Sequence, residues 1–94
     1  MSARDNPLNI KMMNWFLFDI QQDGMAKETK TLMNNYMNRY PNRIRHMPAR
    51  AAVTSILRGD SRFAKDDSSK RVKWYVSEDG NKWLEEISRL PAEE

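Results

Sequence analysis

The side chains best suited to chemistry in this sequence are basic, and they are concentrated in one part of the chain. Residues 41–76 contain nine lysines and arginines against three acidic residues, a local charge of +6, whereas the whole chain carries +3. Residues 77–94 have the opposite balance, with two basic and six acidic residues. Such clustering of positive charge indicates either a surface for a polyanion such as nucleic acid or an ordinary solvated face.

Combinations of residues that would support catalysis or metal binding are missing from the sequence. His46 is the only histidine and there is no cysteine, so a zinc or thiolate site has too few ligands. No Ser/His/Asp set and no glycine-rich phosphate loop can be recognised, and there are three glycines in all. We therefore expect a protein that is not an enzyme and that uses no cofactor or metal, with His46 as an ordinary surface residue.

Length and composition favour one domain over residues 1–94, because a chain of this size supports a single hydrophobic core. Hydrophobic residues make up 39% and charged residues 31%, as in ordinary globular proteins. No apolar run reaches the roughly 20 residues that cross a membrane, and the N-terminus lacks a signal-peptide pattern. We expect a cytoplasmic protein.

Local signals predict three helices in the first two thirds of the chain. Asn6-Pro7 is a helix start and Gly24 a helix stop, and apolar residues recur every four positions between them. Pro41 ends a second amphipathic run, since proline disfavours helical geometry in the residue before it. A third run begins at Pro48 and closes at Gly59. The predicted helices cover residues 7–23, 26–40 and 48–58.

Beyond Gly59 the hydrophobic period changes from helical to two. Val72, Trp74 and Val76 alternate with polar or charged residues, and a polar stretch at residues 66–69 is typical of a turn. The pattern predicts a β-hairpin over residues 62–76 and a last helix over residues 79–90. The fold class is therefore α+β.

The order of these elements resembles the winged helix-turn-helix superfamily of DNA-binding domains. Residues 41–60 match its pair of helices with a short connection. Residues 74–84 are similar to the Tyr-x-Leu-Thr-x-x-Gly-x-x-x-Leu segment that ends the wing in many bacterial, archaeal and phage regulators. In this segment Ser77 is placed to cap the next helix, and the small Gly80 lets the first turn of that helix pack closely.

The resemblance implies three helices, a two-stranded wing and a C-terminal helix that together bind double-stranded DNA as a transcription regulator, with helix 48–58 in the major groove. If Val53, Ile56 and Leu57 face the core, the opposite side of that helix carries arginines and a hydroxyl suited to groove contacts. The expected DNA-binding residues are Arg43, Arg45, Arg50, Thr54, Arg58, Lys65, Lys70, Arg71 and Lys73. Asp66 and Asp67 at the wing tip would repel phosphate, which leaves the contact made by the tip open.

Two aromatic residues of the first helix, Trp15 and Phe18, fall outside its main apolar stripe. They predict either a homodimer interface shared with the last helix or further packing within the monomer. An alternative function is a winged-helix protein-interaction module of a transcription, replication or viral assembly, with a partner on helix 1. Single-stranded nucleic acid is disfavoured, because Tyr75 is the sole candidate for base stacking on the sheet.

Overall fold

The computed structural model describes residues 6–89, which form an α+β fold that is mostly helical and has a two-stranded antiparallel sheet. The elements in chain order are helix α1 (Pro7–Asp23), helix α2 (Thr29–Arg39), a 3₁₀ helix (Pro41–His46), helix α3 (Arg50–Gly59), strand β1 (Phe63–Asp66), strand β2 (Lys73–Val76) and helix α4 (Glu78–Arg89). The last residue of the predicted final helix, Leu90, lies outside the described residues.

Helix α1 has the predicted bounds, and its ends follow the expected capping chemistry. The side chain of Asn6 accepts a hydrogen bond of 2.9 Å from the backbone N–H of Leu8, and Pro7 occupies the first turn, where its missing N–H costs nothing. Gly24 closes the helix with φ at 67°, a left-handed conformation that favours glycine, and its N–H donates to the carbonyl of Ile20. Local sequence alone therefore determines this element.

Helix α2 begins three residues later than the sequence predicts, because Lys27 is part of the sheet. Its backbone N–H donates to the carbonyl of Trp74 over 2.9 Å, and the N–H of Trp74 donates back over 2.7 Å. This isolated bridge pairs a single residue, Lys27, with strand β2. Extended backbone at Glu28 then leads into the helix at Thr29. The predicted start at residue 26 is wrong because Lys27 pairs with Trp74, a residue far along the chain, instead of joining the helix.

The start of α3 is also later than predicted, at Arg50 rather than residue 48. The preceding segment, predicted as a connection, coils into the 3₁₀ helix, and Met47 then turns the chain into an extended conformation. Proline disfavours the helical region in the residue before it, which holds Met47 extended ahead of Pro48. Ala49 remains extended at φ −62° and ψ 153°, so the first helical residue is Arg50.

The hairpin forms as an antiparallel pair with Phe63 opposite Val76 and Asp66 opposite Lys73. Strand β2 begins at Lys73, later than the alternation from Val72 suggests, since the ladder ends at the pair Asp66–Lys73. Trp74 is buried as predicted, whereas Val72 lies beyond the ladder and is 38% exposed.

A single hydrophobic core collects side chains from all four helices and both strands. Phe16 and Leu17 of α1, Leu32 of α2, and Val53 and Leu57 of α3 are fully buried at its centre. Phe63, Trp74 and Leu84 extend the core to the hairpin and to α4. Burial of this kind fixes the orientation of α3 with its inward face as predicted.

The junction between the hairpin and α4 has the two features that the sequence suggested. The hydroxyl oxygen of Ser77 accepts a hydrogen bond of 3.2 Å from the N–H of Gly80. A Cβ atom at Gly80 would lie 2.3 Å from the carbonyl oxygen of Arg62 and 2.7 Å from a methyl of Val76, distances too short for a methyl group. Glycine is therefore required there for close packing.

Within residues 6–89, no helix is both long enough and apolar enough to cross a membrane.

Candidate nucleic-acid interface

Helix α3 has one buried and one exposed face. Val53, Ile56 and Leu57 are buried against the core, while Arg50 and Arg58 are exposed on the other side. The two arginines are eight residues apart, so they lie about 12 Å apart along the helix axis, with Thr54 midway between them. The helix thus presents two guanidinium groups outward from a firmly packed base.

A cleft of about 200 Å³ lies between this face, the first turn of α2 and the hairpin. We call it the α3 cleft. Its lining residues are Glu28, Thr29, Lys30, Arg50, Thr54, Arg58, Lys65, Val72 and Trp74. Four of the nine predicted DNA-binding residues, Arg50, Thr54, Arg58 and Lys65, are therefore brought together at one place. Lys30 joins them, although the sequence did not identify it.

The positive charge of the α3 cleft is largely unneutralised. Among residues 6–89, Lys30, Arg50 and Arg58 are in no ion pair. Lys65 lies 3.8 Å from Asp67, but both side chains are mostly exposed, and such pairs contribute only ~0–1 kcal/mol. Asp60, a possible partner of Arg58, instead pairs with Arg62 at 2.7 Å. Four cations with one carboxylate among the lining residues make a surface suited to a polyanion.

A chain of side-chain hydrogen bonds holds the three walls of the α3 cleft together. The indole N–H of Trp74 donates to the hydroxyl of Thr29 over 3.1 Å in a buried bond. Thr54 lies 3.2 Å from the same Thr29 oxygen and 3.0 Å from the carbonyl of Arg50, so its single hydroxyl proton has a partner inside the protein. Thr54 is half-buried, and its inward bonds fix α3 against α2 and the hairpin, while its contact with DNA stays a prediction.

The hairpin adds cations outside the α3 cleft. Lys70, Arg71 and Lys73 are exposed, and Arg71 lies 3.8 Å from the carboxylate of Glu28. At the other end of the loop, the hydroxyl and the backbone N–H of Ser68 both donate hydrogen bonds to Asp66. These bonds, the hydroxyl bond most strongly, lower the pKa of the Asp66 carboxyl below its ordinary value. The carboxylate at the tip therefore stays charged at neutral pH.

Arg43 and Arg45, like the three hairpin cations, do not line the α3 cleft. Arg45 is exposed on the 3₁₀ helix. Arg43 instead lines a second and larger opening between α1 and α2, which we call the aromatic cleft. The residues that line it are Lys11, Asn14, Trp15, Phe18, Tyr36, Tyr40 and Arg43. Direct DNA contact by Arg43 and Arg45 stays a prediction.

The aromatic residues of α1 differ in their exposure. Trp15 is half-buried, and its ring meets those of Tyr36 and Tyr40 edge-on at 5.5 and 6.3 Å, which favours the alternative of packing within the monomer for this residue. Contacts with α2, invisible to a helical wheel of α1 alone, explain the difference. Phe18 is 43% exposed and lies 5.8 Å from Trp83 of α4.

Lys30 and Glu28 were missed because their importance depends on where α2 starts. With a start at residue 26, Lys30 would lie in the second turn of α2. The start at Thr29 instead puts Lys30 in the first turn, beside α3. The signal that sets this start is the pairing of Lys27 with Trp74, which no local pattern reveals.

The described part of the chain has no group of three or more His, Cys, Asp or Glu side chains placed to hold a metal ion. Comparison with protein-family models, curated proteins and solved structures finds no match to this chain.

Proposed function

We propose that this protein is a winged-helix transcription regulator that binds double-stranded DNA by inserting α3 into the major groove. One observation carries the proposal: a helix whose apolar face is buried presents two unpaired arginines outward, flanked by Lys30 and Lys65 from two other elements. The order of the elements and the backbone bridge from Lys27 to β2 support a winged-helix arrangement.

In this proposal each arginine of α3 can bind one of two kinds of group in the major groove. A guanidinium group binds either the O6 and N7 acceptors of guanine or a phosphate, in both cases through two parallel hydrogen bonds. The first turn of α2 brings Lys30 to the same cleft, and an ammonium group there is suited to a phosphate. Base contacts by α3 and phosphate contacts by α2 would fix the register of the protein on the duplex.

The hairpin would contact the flanking backbone through its strands and through the end of the loop that precedes β2. Lys65, Arg71 and Lys73 carry the positive charge, while the charged Asp66 at the end of β1 disfavours close approach of the tip to phosphate. We therefore place the basic residues of the hairpin near DNA and its tip away from it.

The experiment that tests the proposal compares two double variants with the same loss of charge. Arg50→Ala/Arg58→Ala removes the cations of α3, and Lys11→Ala/Lys82→Ala removes two exposed cations elsewhere. Binding of a labelled random-sequence duplex is followed by fluorescence anisotropy. We expect the first variant to bind at least about tenfold more weakly, since each lost charged contact costs ~1–3 kcal/mol. Equal weakening of both variants would mean that net charge, rather than α3, carries the binding.

The homodimer stays a prediction, and the half-burial of Trp15 reduces the surface available for its interface. The apolar residues that remain for this interface are Phe18 on α1 and Trp83 and Ile87 on α4. Sedimentation velocity of the wild type and a Phe18→Ser variant tests it: a two-fold dimer would shift to monomer in the variant.

A further inference from the structure

We propose that the aromatic cleft is a binding site for a small planar aromatic carboxylate. The cleft has a volume of about 430 Å³, within the range of about 300–1,000 Å³ that is usual for small-molecule sites. None of its lining residues belongs to α3 or to the hairpin. Arg43, a predicted DNA-binding residue, is the one residue that the two sites share, so the two proposals can still fail separately.

The walls of the aromatic cleft favour a flat ring. Trp15 contacts Tyr36 and Tyr40 in edge-to-face arrangements, and the two tyrosine rings are tilted by 52° with centroids 5.2 Å apart. The Tyr36 ring is buried, and the Arg39 guanidinium group lies 4.8 Å over the Tyr40 ring. The ring surface along the opening therefore comes mainly from Trp15, Phe18 and the rest of Tyr40. A planar aromatic ligand gains stacking and edge contacts there that an aliphatic ligand of the same size cannot make.

The charge of the aromatic cleft selects an anion. Lys11 and Arg43 line it, no acidic side chain does, and within residues 6–89 neither cation is in an ion pair. Asp19, one turn beyond Trp15 on α1, is already paired with Lys27 at 3.2 Å and accepts a hydrogen bond from Asn35. An aromatic cleft usually suits a cation, but two unpaired cations beside the rings repel one and attract a carboxylate.

The order of residues along α1 sets the orientation in which the ligand would bind. Lys11, Trp15 and Phe18 follow one another at one-turn spacing, so the cationic end and the apolar end are about 10 Å apart. Burial raises the pKa of Tyr36, and the nearby Arg43 charge partly opposes that rise, so the phenol keeps its proton at neutral pH and can donate to a carboxylate. The carboxylate would lie between Lys11 and Arg43, with the ring against Trp15 and Tyr40.

The experiment uses naphthalene-2-carboxylate as the probe and ¹H–¹⁵N NMR of the three tryptophan indole groups as the readout. We expect a saturable shift of the Trp15 indole signal. The Trp74 signal should stay in place, because its N–H is bonded to Thr29 and lies in the α3 cleft. The neutral naphthalene-2-methanol should bind at least about tenfold more weakly, and so should cyclohexanecarboxylate, which keeps the charge but lacks the ring.

Two double variants of equal charge change locate the site. Lys11→Ala/Arg43→Ala should weaken probe binding at least about tenfold, whereas Lys30→Ala/Arg58→Ala on the α3 cleft should leave it unchanged. All four positions are surface cations outside the core, and the dispersion of the amide spectrum checks that each variant is folded. The proposal is overturned if Trp15 shows no saturable shift up to millimolar probe. Equal affinity for the neutral alcohol, or equal loss in both variants, would also overturn it.

Discussion

The α3 cleft and the aromatic cleft both carry cations that form no ion pair within residues 6–89, but their surroundings differ, and we therefore propose different ligands for them. In the α3 cleft, Arg50 and Arg58 stand on an exposed helix face, and Lys30 and Lys65 from two other elements line the same cleft. In the aromatic cleft, Lys11 and Arg43 border a concave wall of tryptophan and tyrosine rings. A helix face with exposed arginines suits the groove of a long polyanion, whereas a concave aromatic wall suits one small ligand. The side chains around the cations, and not their charge, separate the two proposed functions.

The two clefts also depend on different parts of the scaffold. The α3 cleft is held by hydrogen bonds between residues far apart in sequence, such as Trp74 and Thr29. The aromatic cleft is held by ring contacts between two helices whose core residues are locally periodic. A substitution can therefore disturb both clefts or only one of them.

Gly80→Ala should have the largest effect and should weaken both regions. Its Cβ would overlap the carbonyl of Arg62, whose guanidinium group also bonds to Asn14 of the aromatic cleft. We expect the free energy of unfolding to fall by ~1–3 kcal/mol, as for overpacked sites, measured by urea titration. The adjacent and exposed Asn81→Ala is the control and should change it by less than ~0.5 kcal/mol. A stabilised Gly80→Ala variant, as for an open helical site, would show that the close contact is absent.

Thr29→Val should damage the α3 cleft alone. The substitution keeps the shape of the side chain but removes the acceptor of the buried Trp74 N–H. The free energy of unfolding should therefore fall by ~1–3 kcal/mol, measured by urea titration. Thr29→Ser retains the oxygen and should recover most of that loss. Probe binding in the aromatic cleft should be unchanged in both variants. Loss of probe binding in Thr29→Val would show that the two regions are coupled.

Asp66→Asn should have the smallest effect and sharpens the description of the hairpin. Asparagine keeps the acceptor for Ser68 but removes a negative charge, so duplex affinity should rise about two- to threefold. The pKa of Asp66 is lowered by its Ser68 hydrogen bonds, so the wild-type carboxylate remains ionised as pH falls from 7 to 5. The affinity ratio of variant to wild type should therefore be the same at both pH values. A ratio that falls toward one at pH 5 would contradict the lowered pKa.

The sequence predicts the elements that depend on local signals and misses those that depend on distant partners. Asn6, Pro7 and Gly24 set the bounds of α1 through short-range hydrogen bonds, and Ser77 and Gly80 set the start of α4 in the same way. The start of α2 is decided by Trp74, more than 40 residues away, and was predicted wrongly.

The same distinction applies to the candidate site. The exposed arginines of α3 follow from helical periodicity, so they could be predicted. The position of Lys30 and the inward-facing hydroxyl of Thr54 depend on how three elements meet, so neither could be predicted from the sequence. The half-burial of Trp15 depends likewise on the rings of α2.

The most direct test of the central claim, that α3 holds DNA, is the salt dependence of duplex binding. If about four to six phosphates are engaged, a plot of log affinity against log salt concentration should have a slope near −4 to −5 for the wild type. The slope should be smaller in magnitude by about one to two for Arg50→Ala/Arg58→Ala, and unchanged for Lys11→Ala/Lys82→Ala. No binding at about 50 mM salt with micromolar protein, or the same slope for all three proteins, would contradict the assignment of α3 as the DNA-binding helix.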